Sequence, residues 1–533
     1  PANINLNWVD KLRIEQEFKR MPDSTWVLAN ENTYVNFYIV KGAQQLYAHQ
    51  LRNFDKYQFD VQNADSIFGL LGPIHELPEA TAQTDTFWIH NRHVPLKEKE
   101  SALDDLLAQL RKVPAFNVII KTAEILITGY IPTTADKDKS KFDFGPMNTT
   151  FSANHLEGFR MRVGGMTTAN LNPHWFGSGY LAYGVNDRKL KYNAKLTYSV
   201  NKKKYHEGES PVNNISAIQE YDVYTPGQDF LFTSKDNMFV AWKVGEPVTM
   251  MQYIRKTMLQ YQKEWLNGLT LTTWARNENN EAAGTLRYDR YDADGTLTNL
   301  KSFTNTELGT QLRFAPGERA YNGREGKNSL FNLSKDAPVF KLSHQMGLKN
   351  VLGSDFNYNH TEISAEKRIW LSSFGHIDAL VTAGKVWDKV PFPLLIMPNT
   401  NQSITIQPQA FNMMRALEFV SDQYVSFYFT YYMKGWILNR IPGVKWLRLR
   451  EVISFSGFYG GLTDKNNPAL DPTGLYRFPE GTSPMGRTPY LEASVGLENI
   501  FKILRIDYYR RLTYLDQPNI KKGGVRIALR FSF

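Results

Sequence analysis

His75-Glu76-Leu77-Pro78-Glu79 opens like a zinc-protease helix, in which two histidines one turn apart hold the metal and the glutamate activates water. The second histidine is missing and Pro78 falls inside the turn, so the helix that would align the ligands is lost. Asp292-Ala293-Asp294-Gly295 begins like a calcium loop, but no glutamate stands at the twelfth position, and a loop turn is expected instead. Gly177-Ser178-Gly179 has the wrong spacing for a nucleophile elbow or a dinucleotide fingerprint and sits in a strand pattern. Lys202-Lys203-Lys204 reads as a solvated turn, with attraction to acidic partners or lipid headgroups as the alternative. There are 0 cysteines, which excludes disulfides, thiolate metal sites and thiol catalysis. With no constellation of acid, base or metal ligands, the chain is expected to be no enzyme and to need no cofactor.

The remaining chemistry is electrostatic, and it depends on which side of a strand each charge faces. From Phe144 onward the apolar residues recur with period two. Val525, Ile527, Leu529, Phe531 and Phe533 alternate with Arg526, Ala528, Arg530 and Ser532. Val425, Phe427, Phe429, Tyr431 and Met433 alternate with Ser426, Tyr428, Thr430, Tyr432 and Lys434. Similar faces run through Tyr192–Val200, Leu491–Glu498 and Leu504–Tyr509. Each apolar face needs a cover, and this part of the chain offers no long amphipathic helix to supply one. Aromatic residues make up 13% of a chain whose mean hydropathy is only -0.42, an excess that suits the interfacial girdles of a membrane barrel. The fold class expected is an all-β transmembrane barrel of about 16 antiparallel strands. Strand starts are expected near 145, 157, 175, 190, 213, 249, 267, 303, 338, 360, 376, 423, 446, 488, 503 and 524.

On that pattern Arg160, Arg162, Arg505, Arg526 and Arg530 face the lumen. They make either an anion-selective lining or internal salt bridges with Asp507, Glu492 and Glu498. If both termini are periplasmic, the links near 371–375, 439–445 and 498–502 are short periplasmic turns, whereas 387–423 and 459–487 face outward. The link 315–338 is a long exception. Glu451 falls in register with Leu447, Leu449, Ile453 and Phe455, which a bulge near Arg450 would correct.

Before Phe144 the texture is mixed. Trp26–Val40 reads as two strands broken by a turn at Asn30-Glu31-Asn32. Leu103, Leu106, Leu107 and Leu110 mark one helix face between Pro95 and Pro114, and Val118–Ile127 is a second helix or a strand. Residues 1–133 are therefore expected to form a small α+β periplasmic domain, 134–143 (TADKDKSKFD) a linker, and 144–533 the outer-membrane barrel. The chain starts Pro-Ala-Asn with no signal-peptide pattern, so more sequence is expected ahead of Pro1. The net charge of +9 is too diffuse to point to nucleic acid.

Pro173-His174-Trp175-Phe176-Gly177-Ser178-Gly179-Tyr180, the turn at Asn186-Asp187 and the run Tyr192–Val200 resemble the third and fourth strands of the BamA/TamA-type assembly-factor superfamily. The run Asn154–Gly165 (NHLEGFRMRVGG) resembles an uncharacterised Bacteroidota outer-membrane family, as do Trp88–Glu98 (WIHNRHVPLKE) and Pro398–Ile404 (PNTNQSI). That family carries a carboxypeptidase-regulatory-like domain ahead of a BamA-like barrel. The resemblance implies 16 strands closed by pairing first with last, and a sixth loop folded into the lumen with an Arg-Gly-aromatic tip on acidic wall residues. Here that loop is 387–423. Its nearest match, Arg415-Ala416-Leu417-Glu418-Phe419, replaces the glycine, and Arg415 is expected to contact the wall. Assembly-factor domain repeats are not evident in residues 1–143. The implied seam joins Phe144–Asn154, with Pro146, Thr149 and Phe151, to Gly524–Phe533; Met147, Thr149, Phe151 and Ala153 are its outward set. Three functions remain open: assisting insertion or translocation of outer-membrane proteins through the seam, a structural subunit anchoring a complex, and a passive pore. Expected partners are outer-membrane lipid, lipopolysaccharide, and outer-membrane proteins or lipoproteins.

Overall fold

The computed structural model describes residues 9–37, 46–57, 85–91 and 129–530. The last range has gaps at 135, 137–138, 232, 245–246, 319, 322–330 and 333–335, and positions 59, 62, 122 and 125 are described singly. The chain divides into two compact units, Pro1–Ile120 with Phe501–Ile503 and Arg530–Phe533, and the remainder from Lys121. In the first unit β1 (Val9–Arg20), β2 (Trp26–Phe37) and β3 (Leu46–Asn53) form an antiparallel meander, and α1 (Asp85–Asn91) is a short helix. The turn expected at Asn30-Glu31-Asn32 is instead the middle of β2. These polar residues are held by cross-strand pairs, Gln16 to Glu31 at 2.7 Å, Asn30 to Glu17 at 2.7 Å and Arg52 to Glu31 at 3.1 Å, which override turn propensity on an exposed face. The chain reverses at Met21–Thr25 instead. The helix expected between Pro95 and Pro114, the His75–Glu79 motif and most of Val118–Ile127 lie outside the described residues.

The second unit is dominated by one large antiparallel sheet. Its strands are β4 (Ile131–Pro132), β5 (Phe142–Phe144), β6 (Phe151–Asn154), β7 (Gly158–Thr167), β8 (Trp175–Gly184), β9 (Leu190–Ser199), β10 (Asn213–Tyr224), β11 (Met250–Glu264) and β12 (Leu269–Gly284). After the hairpin β13 (Tyr288–Tyr291) and β14 (Leu297–Leu300) come β15 (Ser302–Phe314), the two-residue pair β16 (Ala320–Tyr321) and β17 (Phe331–Asn332), then β18 (Val339–Gly347), β19 (Tyr358–Trp370) and β20 (His376–Val386). The chain finishes with β21 (Phe419–Val420), β22 (Gln423–Tyr432), β23 (Arg450–Gly461), β24 (Ser483–Pro484), β25 (Tyr490–Ile500), β26 (Leu504–Arg511) and β27 (Gly523–Leu529). Each of the expected starts has a strand beginning within about four residues of it, because period-two alternation survives through every wall strand. The order closes into a barrel in which each wall strand from β7 onward is bonded to its neighbour in sequence.

The sides of these strands are inverted relative to a soluble sheet. Along β26, Arg505, Asp507, Tyr509 and Arg511 are buried while Ile506, Tyr508 and Arg510 are exposed. Val163 is 66% exposed, Leu181 58%, Val495 65% and Leu529 60%, whereas Lys191, Thr197, Glu492 and Asp507 are fully enclosed.

Four expectations need correction. The expected linker lies between β4 and β5, which pair with each other in the barrel sheet, and the unit boundary falls at 120/121. The strand expected over Phe144–Asn154 is broken between β5 and β6 by a 3-10 turn at Met147–Thr149; Thr149 turns inward, its hydroxyl donating to the Pro146 carbonyl at 2.7 Å, while Phe151 stays outside. The link between β22 and β23 runs from Met433 to Leu449, because 3-10 turns at Leu438–Arg440 and Lys445–Leu447 delay the strand. There is no bulge at Arg450; the ladder to β25 is continuous from Arg450↔Glu498, and Glu451 is buried, accepting the Leu438 amide at the strand end.

The close spacing of β8 and β9 depends on Gly179, where an added Cβ would lie 2.2 Å from the Asn193 carbonyl oxygen. Gly179→Ala must push two backbones apart and is expected to cost about 1–3 kcal/mol in denaturant unfolding. Gly177→Ala, whose nearest neighbour would be Thr167 at 3.9 Å, should be close to neutral.

Candidate functional site

The connection between β20 and β22 folds into the lumen. Its Val390, Phe392, Leu395, Leu417 and Val420 pack with Leu286, Tyr288 and Tyr476 from other connections, and Phe411, Met414 and Phe419 pack against the wall residues Phe458 and Tyr490. Beneath it a pocket of about 320 Å³ remains, lined by Gln409, Tyr428, Arg505 and Tyr509 among others.

Two charged latches hold this plug. Glu418 accepts two hydrogen bonds from the Arg511 guanidinium, at 2.6 and 3.0 Å, with both side chains fully buried. Glu492 on β25 accepts the backbone amides of Asn412 and Met413 at 2.8 and 2.9 Å, and Arg526 on β27 donates to the Asn412 carbonyl at 2.5 Å. The expected loop-to-wall pair therefore exists with its charges exchanged, the acid on the loop and the arginine on the wall. Among the described residues Arg415 makes no ion pair with the wall; its amide donates to Glu418 at 2.9 Å and its guanidinium reaches the Gly481 carbonyl at 3.5 Å. The Phe419 and Tyr514 rings lie tilted to each other with centroids 4.9 Å apart. Arg511 was not singled out in the sequence, although it continues the inward series of Arg505, Asp507 and Tyr509.

The other lumen charges are mostly paired. Arg160 bonds Glu157 and Asp222, each at 2.7 Å, and Asp236 at 3.2 Å, while Arg162 bonds Asp236 at 2.8 Å. Lys191 bridges Glu157 at 2.8 Å. Arg505 grips Asp507 at 2.8 and 2.5 Å, and the Tyr432 hydroxyl accepts from it at 3.2 Å. Glu498 lies opposite Arg450 in the ladder, and the Arg530 amide donates to the Ile503 carbonyl at 2.7 Å. Of the two sequence readings for the arginines, internal salt bridging is the one present at Arg160, Arg162 and Arg505. In the lysine run Lys202 and Lys204 are exposed, as a solvated turn requires, but Lys203 is buried and donates to the carbonyls of Glu209 and Pro211, and burial draws its pKa down. Asp292–Gly295 is the expected turn, closing β13 to β14.

The seam has an unexpected construction. On one side β27 pairs with β26; on the other it stands next to the two-residue β4 in the sheet order, and Ile527 also receives a strand from the plug, its amide donating to Ile404 at 2.9 Å and its carbonyl accepting from Ile406 at 2.8 Å. That strand pairs in turn with the connection between β10 and β11, where Ile404 donates to Trp242 at 2.8 Å and Val244 to Gln402 at 3.1 Å. The same connection reaches the first-strand side, with the Met238 amide donating to Asn148 at 3.0 Å. Val525 and Leu529 point outward, and Phe531 and Phe533 lie outside the described residues. The pairings made by Ile404 and Asn148 carried no sequence signal, since backbone pairing between distant loops leaves no period.

Among the described residues no group of acids and histidines is arranged to hold a metal. Glu418→Ala should leave a buried, unpaired guanidinium and lower stability by about 3–5 kcal/mol, while the paired replacement Glu418→Met with Arg511→Met should lose much less. Protease nicking of the plug, followed alongside unfolding, checks both.

No curated protein matches the chain. Among solved structures it is similar to BamA from Haemophilus ducreyi lacking POTRA domains 1-3, at 10% identity and a TM-score of 0.43 over 73% of this chain and 70% of that one. It is also similar to CdiB from Acinetobacter baumannii, at 12% identity and a TM-score of 0.34 over 71% of this chain and 57% of that one. Residues 123–466 match the C-terminal domain model of the DUF5686 family of unknown function, and the chain belongs to that family.

Proposed function

We propose that the chain is an outer-membrane β-barrel, filled by its own loop, that engages polypeptide strands of other outer-membrane proteins at the seam beside β27. The observation that carries the membrane reading is the inverted wall: apolar side chains such as Val163, Leu181, Val495 and Leu529 stand outside while ionisable ones are enclosed. Water would reject that exterior, and hydrocarbon accepts it. Among the described residues no helix is long and apolar enough to cross a membrane. Counting β5 and β6 as one interrupted strand, β5 to β27 make sixteen wall strands, an even number that returns both barrel ends to one side, which on this reading is the periplasm together with the N-terminal segment. Lipid and lipopolysaccharide are then its surroundings, and the reading contains no catalytic step and no cofactor.

The seam carries the functional half. A strand whose outer edge is met by the two-residue β4 and by three plug residues, rather than along a full neighbouring strand, is a site where an extended segment can add by β-augmentation. On this reading Ile404–Ile406 occupies the edge at rest and a client strand replaces it. The filled lumen argues against a passive pore. The buried Glu418–Arg511 pair favours a second reading, a rigid subunit that anchors neighbours and never opens.

Two measurements follow. Val495→Arg should destabilise the protein in bilayers by about 2–4 kcal/mol if residue 495 is near the midplane, and Val495→Leu should not. Because the chain has no native cysteine, Thr405→Cys with Ile527→Cys gives a clean lock across the parallel bridge. Seam function predicts that oxidised cells behave like a deletion strain and recover on reduction. Locked cells indistinguishable from wild type, in a background where deletion has a phenotype, would overturn it in favour of the rigid subunit.

A further inference from the structure

The connection Met433–Leu449, between β22 and β23, carries Lys434, Arg440, Lys445 and Arg448 and no acidic residue. Its backbone is internally tied, Arg440 to Ile437 at 3.0 Å, Val444 to Ile441 at 3.2 Å and Leu447 to Val444 at 2.9 Å, and it is fixed to the wall by Asn499 donating to the Arg448 carbonyl at 2.6 Å. A connection this well held has no need to expose apolar side chains. Yet Trp446 is 75% exposed, and Ile437, Ile441 and Leu447 are exposed beside it. The patch continues onto the neighbouring turn, with Phe374 edge-on to Trp436 at 5.1 Å and Lys434 lying 5.4 Å over the Trp370 ring. Arg440 lies 5.6 Å over Trp436, and neither Arg440 nor Lys445 has a carboxylate partner among the described residues.

We infer that this connection is a binding site for anionic glycerophospholipid in the leaflet at the short-turn end of the barrel, the inference resting on the membrane reading above. Two features select that occupant. The positive charge of the connection, which holds no acid, matches headgroup phosphate, and Trp446, Ile437 and Ile441 match the acyl boundary beneath it, where tryptophan favours the interface and lysine or arginine stems lie along apolar surface with their charges in the headgroups. A soluble acidic protein would satisfy the charge but would leave a membrane-level apolar ridge unexplained.

The test uses the full chain in micelles doped equally with phosphatidylglycerol and phosphatidylcholine, with retained lipid counted by native mass spectrometry. Wild type should retain phosphatidylglycerol selectively, and Arg440→Gln with Lys445→Gln should reduce that preference about fivefold for each cation removed. Trp446→Ala should weaken retention of both lipids while keeping the preference. Equal retention of both lipids by wild type, or an unchanged preference in the double variant whose barrel is still heat-modifiable on gels, overturns the inference. Selective retention of lipid A instead, or a dimer that the double variant dissolves, overturns it in favour of lipopolysaccharide or a second copy. A barrel that needs detergent but shows no lipid preference sinks only this inference, whereas a chain monodisperse without detergent sinks the membrane reading itself.

Discussion

Everything in this barrel follows from the cost of enclosing charge. The inward faces of β7, β9, β10, β25 and β26 carry Arg160, Lys191, Asp222, Glu492, Asp507 and Arg511, each almost wholly shielded from water. Such groups are tolerable only when paired and hydrogen-bonded. The wall meets part of that demand by itself, as Arg505 does with Asp507. The rest is met by connections folded inward: Asp236 reaches Arg160 and Arg162, Glu418 reaches Arg511, and the amides of Asn412 and Met413 reach Glu492. The plug thus answers the wall's charge, and the wall's charged groups in turn hold the plug.

The same constraint explains the seam. The plug strand Ile404–Ile406 emerges from the segment pinned by Glu492 and Arg526, and it meets β27 at Ile527. Holding the plug and covering the edge of β27 are therefore one act. On the proposed reading a client strand can compete for that edge only if the segment around Asn412 shifts, so the ionic latches tune access to the seam.

Much of this was legible in the sequence, and the reason is geometric. Period-two alternation is preserved wherever a strand has one greasy and one charged face, so Val525–Leu529, Leu504–Tyr509 and Tyr192–Val200 declare both strand and side. Inward arginines could be named for the same reason. What stayed hidden depends on contacts between residues far apart in the chain. The reversal of loop and wall charge at Glu418–Arg511 spans 93 residues and obeys no period. Lys203 looked solvated because its partners are backbone carbonyls, which every sequence has. Asn30–Asn32 looked like a turn because local propensity carries no information about Gln16 and Arg52 across the sheet.

The central claim is that hydrocarbon, rather than protein or water, covers the outer face. Spin labels scanned one at a time through Ala493, Ser494, Val495 and Leu497 of β25 in bilayers measure it directly. The account predicts that accessibility to oxygen, which concentrates in lipid, alternates along the strand, high at 493, 495 and 497 and low at 494. Labels at 493, 495 and 497 that instead meet a water-soluble nickel chelate, or a scan without alternation, would contradict it.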